Sequence, residues 1–258
     1  MSWVALSKTQ HADKALIKNK NFKFIEREII TDLFNFEFET AISCIPIFFA
    51  EGQTGIRTVG LMGLEKNKNL FVQQGGMWLL PHFIPATIAS FPFRAVTTED
   101  EKNIIVFKEN SDLIVDRAEG TPFFDKEGNE TALLKRYLGL MSKIINAQKL
   151  SEKVGFLLKK MDLLEELKLN IPREDGPNIE LTGLLKIRAS VFRELDDNKF
   201  IELRKSSALD FIYAHFYSLS CVRALLFLRN KDQSATQGLK EIGSQIFAEP
   251  EDELDFNL

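Results

Sequence analysis

Apolar residues are spread along this chain in two rhythms. Before about residue 128 they come in short runs closed by polar or glycine-containing turns. From residue 130 they recur at three- and four-residue spacing. Short runs predict strands and the wider spacing predicts helices, because side chains alternate along a strand while i, i+3 and i+4 share a helix face. Strands are expected at Trp3–Leu6, Ile47–Phe49, Thr58–Met62, Asn69–Val72, Ile104–Phe107 and Leu113–Val115. The charged turn Glu65–Lys68 between two apolar runs is a hairpin signal. Ser7–Asn21 reads as loop. Thr31–Ser43 reads as a short amphipathic helix with Thr31 or Asn35 as cap, stopped before Cys44-Ile45-Pro46 by the bias against helix before proline. Pro85 suits the first turn of a short helix to Ser90, and Pro92 stops it.

In the second rhythm, Leu133, Leu134, Tyr137, Leu138, Met141, Ile144 and Ile145 predict one helix. Val154, Leu157, Leu158, Met161 and Leu164 predict a second, capped by Ser151. After a turn at Asp175–Asn178, Ile179, Leu181, Gly183, Leu185, Ile187 and Ala189 alternate with mostly polar neighbours, which predicts a strand. Helices follow at Asp197–Arg204 and Ala208–Arg229, the latter with Ser207 and Asp210 at capping-box spacing. The expected class is α+β: a largely antiparallel, Phe-rich sheet region over 1–128, then a mainly helical region over 129–248 with one inserted strand. The two either share one core or stand apart. The acidic segment 249–258 is expected to be a disordered tail.

One stretch fits neither rhythm. Gln73–Phe93 holds 21 residues without Lys, Arg, Asp or Glu, yet Gly75, Gly76, Pro81, Pro85 and Pro92 interrupt it. A bilayer span needs about 20 apolar residues, but these breaks would leave backbone groups unsatisfied in lipid. No membrane span is expected. Composition adds to this picture: 22 Phe against 3 Tyr and 2 Trp means large apolar area without a polar handle, so most rings belong to the core. A formal charge of −4 carries no basic footprint, so nucleic acid is not an expected partner. Cys44 and Cys221 lie among apolar neighbours, as buried free thiols do. The N-terminal residues show no apolar signal region, and cytoplasmic residence is the expectation.

Candidate chemistry is sparse. With three histidines there is no HExxH, and CxxC, nucleophile-elbow, dinucleotide and phosphate-loop motifs are absent too. Asp125–Asn129 resembles a calcium loop, but its sixth and twelfth positions are Glu130 and Arg136. A plain turn is expected, with no metal and no cofactor. Glu37 and Glu39 are two apart and would diverge on a helix, so they make no carboxylate pair. The acid–base candidates are Glu37, His11 and His82, brought together only if folding does so. His215 sits on the apolar stripe of Phe211, Ile212, Leu219 and Val222, and reads as a satisfied core histidine.

The order of features resembles the SapC family of bacterial proteins. The resemblance is carried by Gly63-Leu64, Asn69-Leu70-Phe71-Val72, Gly76, Trp78, Ile84-Pro85-Ala86 and Phe91-Pro92-Phe93. His11, Glu37-Phe38, Ile45-Pro46-Ile47-Phe48, Phe124-Asp125 with Gly128, Leu181-Thr182-Gly183, Ile212-Tyr213-Ala214 and Ser218-Leu219 extend it over about residues 3 to 229. Ala89 stands where the family often has arginine, and Phe83 and Phe91 where it tends to have tyrosine. The family's association with a surface layer, and with halogenases, cupin-like proteins and uptake receptors, implies a supporting role in peptide or natural-product modification, uptake or surface assembly. No catalytic residues come with it. The expected function is non-catalytic binding of a peptide or protein partner, through Trp78, Phe71, Phe83, Phe93 and Asn69. An enzyme with dispersed Glu and His groups, or a surface-layer component, is the alternative.

Overall fold

The computed structural model describes residues 3–98, 100, 102–171 and 178–229. In chain order the strands are β1 (Trp3–Ala5), β2 (Lys14–Leu16), β3 (Ile30–Asp32), β4 (Ile47–Glu51), β5 (Ile56–Leu61), β6 (Phe93–Thr97), β7 (Asn103–Lys108), β8 (Ile114–Asp116), β9 (Thr121–Pro122), β10 (Leu164–Ile171) and β11 (Ile179–Ile187). The α-helices are α1 (Phe38–Ala41), α2 (Ala86–Ala89), α3 (Ala132–Lys160), α4 (Ala189–Arg193), α5 (Asp197–Lys205), α6 (Ala208–Ser218) and α7 (Cys221–Arg229). Among the described residues three sheets form, in the orders β1-β7-β6, β10-β11-β4-β5-β3 and β8-β2-β9, and the strand pairings are antiparallel. This is an α+β fold. The expected turn at 175–178 lies mostly, and the acidic segment 249–258 wholly, outside the described residues.

The five-stranded sheet joins the two sequence regions. β11 pairs with β4 at Leu185 and Phe49, and β4 pairs with β5 from Ile47–Gly60 to Glu51–Ile56. Ile47 to Ala50 are all buried, as in a strand covered on both faces. The larger hydrophobic cluster therefore mixes Phe48, Val59 and Leu61 with Leu158, Leu184, Phe211 and Ile212. A second cluster gathers Phe93, Phe107, Phe123 and Phe124 against Leu134, Met141 and Ile144 of α3. α3 spans both clusters. It approaches β5 so closely that a Cβ on Gly155 would lie 2.6 Å from Ile56, leaving room only for glycine.

Several elements differ from expectation, each for a local reason. The helix predicted at Thr31–Ser43 is a strand, a 3₁₀ turn at Asn35–Glu37 and the four-residue α1. Ile30–Asp32 instead completes the sheet against Val59–Leu61. Asn69–Val72 is not a strand. Asn69 Nδ2 donates to Ile25 O at 3.1 Å and its Oδ1 accepts from Phe71 N at 2.9 Å, so the side chain replaces ladder bonds with a turn. The two helices expected between 130 and 169 are the single α3, capped by Thr131, whose side chain accepts from Leu134 N. Ser151 lies within that helix, 3.2 Å from Thr58 Oγ1.

Beyond α3, Leu164–Ile171 is a strand, a partner to the predicted one at 179–187. Between Leu167–Leu184 and Leu169–Leu181 the register shifts: Thr182 and Gly183 oppose Lys168, with Gly183 at φ 84°. The extra residue lies on β11, whose buried positions run Leu181, Leu184 and Ile187, while Leu167, Leu169 and Ile171 of β10 alternate regularly. The helix expected at 208–229 is two, α6 and α7, bent by 43°. Ser207 has φ 62° and makes no side-chain cap. No single helix among the described residues is long and apolar enough to cross a membrane.

Candidate functional site

The site is a cleft between the first sheet, the segment Phe24–Asp32 and α3, edged by Thr87, Ser90 and Phe91 of the uncharged stretch. Its volume is about 570 Å³, and Trp3, Phe24, Phe91, Arg94 and Lys108 line it together with Glu28 and Asp32. The strand order β1-β7-β6 sets its basic wall, since Lys108 pairs with Trp3 across β1 and β7 while Phe93, next to Arg94, pairs with Phe107. Phe24 stacks on Phe91, ring centroids 3.9 Å apart at 14°. Arg94 Cζ lies 4.3 Å above the Trp3 ring and Lys108 Nζ lies 5.6 Å from the Phe91 ring. These are cation–π geometries, in which the cation keeps its capacity for an anion. Among the described ion pairs, neither Arg94 nor Lys108 meets a carboxylate. On the other wall Asp32 is paired with Arg57.

The cleft is therefore aromatic, with two cations available on one side. It shares Asp32 and Gln148 with a smaller recess of about 220 Å³. A larger recess of about 710 Å³, lined by Lys8, Asn103, Glu130 and Lys135 among others, is shallower and has no aromatic pair across it.

The candidate residues named from the sequence occupy different places. Phe93 is 2% exposed and belongs to the second cluster, its edge reaching the cleft. Trp78, Phe71 and Phe83 pack in the larger cluster instead. Trp78 Nε1 donates to Phe83 O at 2.7 Å, and its ring lies 5.8 Å from Phe71. Asn69 is buried and spends its amide on the turn described above. Phe24, Arg94, Lys108 and Trp3 were not singled out from the sequence. Only Phe91, through the Phe91-Pro92-Phe93 triplet, carried a signal.

Glu37, His11 and His82 take separate partners. Glu37 is 7% exposed; its Oε2 accepts from Phe34 N at 3.0 Å and its Oε1 from Ala86 N at 2.6 Å. Burial pushes its carboxyl up from 4.5 to about 7, against the two backbone N–H groups, which favour the charged form. His11 sits in a bend and is buried; its Nδ1 accepts from Ser7 N at 3.0 Å and its ring meets Phe107 edge-on at 4.8 Å. His82 is exposed, with Nε2 3.4 Å from Cys44 Sγ. Asp125 Oδ1 accepts from Asn129 N at 2.7 Å, which makes 125–129 a turn. Among the described residues there is no group of three or more His, Cys, Asp and Glu that could hold a metal ion.

His215 is the core histidine expected of it. Its Nδ1 donates to Ile47 O at 2.7 Å and its Nε2 accepts from Ile187 N at 3.4 Å, a neutral tautomer that joins α6 to β4 and β11. Burial drives its pKa from 6.5 down to about 4; the Ile47 bond opposes this and the Lys186 charge adds to it. Ser218 Oγ accepts from Ile47 N at 2.8 Å and donates to His215 O at 2.9 Å.

The fold and this geometry define an α+β protein whose buried polar groups tie backbone segments together beside an aromatic, cation-bearing cleft. The family model described as SapC matches residues 6–225, most of the chain, and the protein belongs to the SapC family. Comparison with curated proteins and with solved structures gives no match.

Proposed function

We propose that the protein is a non-catalytic binding or accessory module for a peptide or protein partner, acting in a bacterial modification, uptake or surface-layer system. The observation that carries this reading is the cleft. Stacked Phe24 and Phe91 offer flat apolar area, and Arg94 and Lys108 sit beside it without carboxylate partners among the described ion pairs. Aromatic and arginine side chains at the centre of a recess are the usual anchors of protein recognition. Glu37 supports it from the other side: each carboxyl oxygen already holds a backbone N–H, so the group serves as a latch.

The partner that fits is an acidic segment with an aromatic or aliphatic anchor. Tagged protein recovered from the native host, with and without Arg94→Glu plus Lys108→Glu, tests this. Loss of one co-purifying partner in the charge-reversed protein, with an unchanged Tm, is the expected result. Identical partners in both preparations would overturn it. Cytoplasmic residence goes with this reading, and cell fractionation checks it.

A further inference from the structure

Away from the cleft, one pair of side chains combines a nucleophile with a base. Cys44 Sγ lies 3.4 Å from His82 Nε2. Cys44 closes the turn after α1, its N–H bonding Ala41 O at 2.9 Å. At 9% exposure it marks the edge of the core, one residue before the fully buried Ile45. His82 faces solvent but is held in place. Its neighbour Phe83 is buried, Phe83 N bonds Leu80 O at 3.2 Å, and Phe83 O takes the Trp78 indole N–H at 2.7 Å. Trp78 thus anchors the backbone next to His82.

The other cysteine provides an internal contrast. Cys221 is buried, its thiol donates to Ile42 O at 3.3 Å, and burial pushes that thiol up from its ordinary pKa. Both thiols are buried, Cys44 at 9% and Cys221 at 7% exposure, so the contrast lies in their partners: a thiol bound to a carbonyl has no base beside it, whereas a thiol within hydrogen-bonding reach of an imidazole has the arrangement of a reactive one.

We propose that Cys44 and His82 form a thiol–imidazole pair and that Cys44 is the site at which peroxides modify this chain. In the step, Cys44 gives its proton to His82 Nε2 and the sulfur attacks the nearer peroxide oxygen. The S–O bond forms as the O–O bond breaks. Sulfur is oxidised to a sulfenic acid, the peroxide oxygen is reduced, and the departing hydroxide takes the proton from the imidazolium to leave as water.

The test exposes the full chain to hydrogen peroxide with dimedone, which traps sulfenic acids, and counts adducts at each cysteine by peptide mass spectrometry. The wild type is expected to be trapped at Cys44 and not at Cys221. Cys221→Ser keeps the trapping at Cys44, and Cys44→Ser abolishes it. His82→Gln slows it at least about tenfold, a modest part of what a positioned base contributes, with no change in Tm because His82 is exposed. Equal trapping at both cysteines, or a Cys44 rate indifferent to His82→Gln, overturns the proposal.

Discussion

Glu37 and His215 are both buried ionisable groups, and each ties two backbone groups from different parts of the chain. Glu37 is an acceptor that gathers two N–H donors, Phe34 and Ala86. His215 works both ways, donating to Ile47 O and accepting from Ile187 N. Burial disfavours the charged form of each, and because one is an acid and the other a base it moves them in opposite directions. The same physical cause therefore makes one latch weaken with rising pH and the other with falling pH. For Glu37 the folded value, about 7, lies above the unfolded 4.5: its contribution is complete below 4.5 and is lost as pH rises through 7. For His215 the folded value, about 4, lies below the unfolded 6.5: its contribution is complete above 6.5 and is lost as pH falls toward 4. Between those limits the two slopes offset each other.

Removing the larger latch breaks the comparison most severely. His215→Ala leaves Ile47 O and Ile187 N orphaned beside a cavity, and is expected to cost about 4 kcal/mol in urea unfolding at pH 7. Next comes the pH experiment. Glu37→Gln removes the titration and leaves His215 unopposed, at a pH-independent cost because the amide NH2 faces one of the two backbone N–H donors. Its stability should fall between pH 7 and pH 4 by about 3 kcal/mol more than that of the wild type. Parallel pH profiles for the two proteins would contradict the opposed-latch account. Ser218→Ala, which removes the acceptor of Ile47 N and the hydroxyl donor to His215 O, is expected to cost about 1–2 kcal/mol. Arg94→Ala, at an exposed cation–π contact, should change stability by no more than about 0.5–1 kcal/mol, which keeps it usable as a binding probe.

The contrast also explains what could be read in advance. Ile47–Phe49 and Thr58–Met62 were legible as strands because they are short runs buried throughout, and the segment from Ile179 because apolar and polar residues alternate in its sequence. The start of α3 was legible from its three-four spacing. Leu164–Ile171 was not, since Leu164 continues the three-four spacing of Val154, Leu157, Leu158 and Met161 and so hid the alternation of Leu167, Leu169 and Ile171. Nor was the turn at Asn69, where one side chain supplies the bonds a strand partner would have made.

For the site, His215 was legible because its neighbours in the helix are apolar, and Glu37 was legible as a residue worth watching. The cleft was not. Trp3, Phe24, Phe91, Arg94 and Lys108 come from four separated stretches, Phe91 and Arg94 sharing one, and nothing local to these stretches says that they meet. Trp78, the most conspicuous aromatic of the uncharged stretch, packs into the core and holds Phe83, while the less conspicuous Phe91 faces the cleft.

The central claim is that the buried ionisable groups hold the fold while recognition belongs to the cleft. The most direct measurement is quantitative recovery of the partner from the native host by three proteins: wild type, Glu37→Gln, and Arg94→Glu with Lys108→Glu. The account predicts full recovery by Glu37→Gln and loss by the charge-reversed cleft. Loss by Glu37→Gln, with recovery intact in the cleft variant, would contradict it.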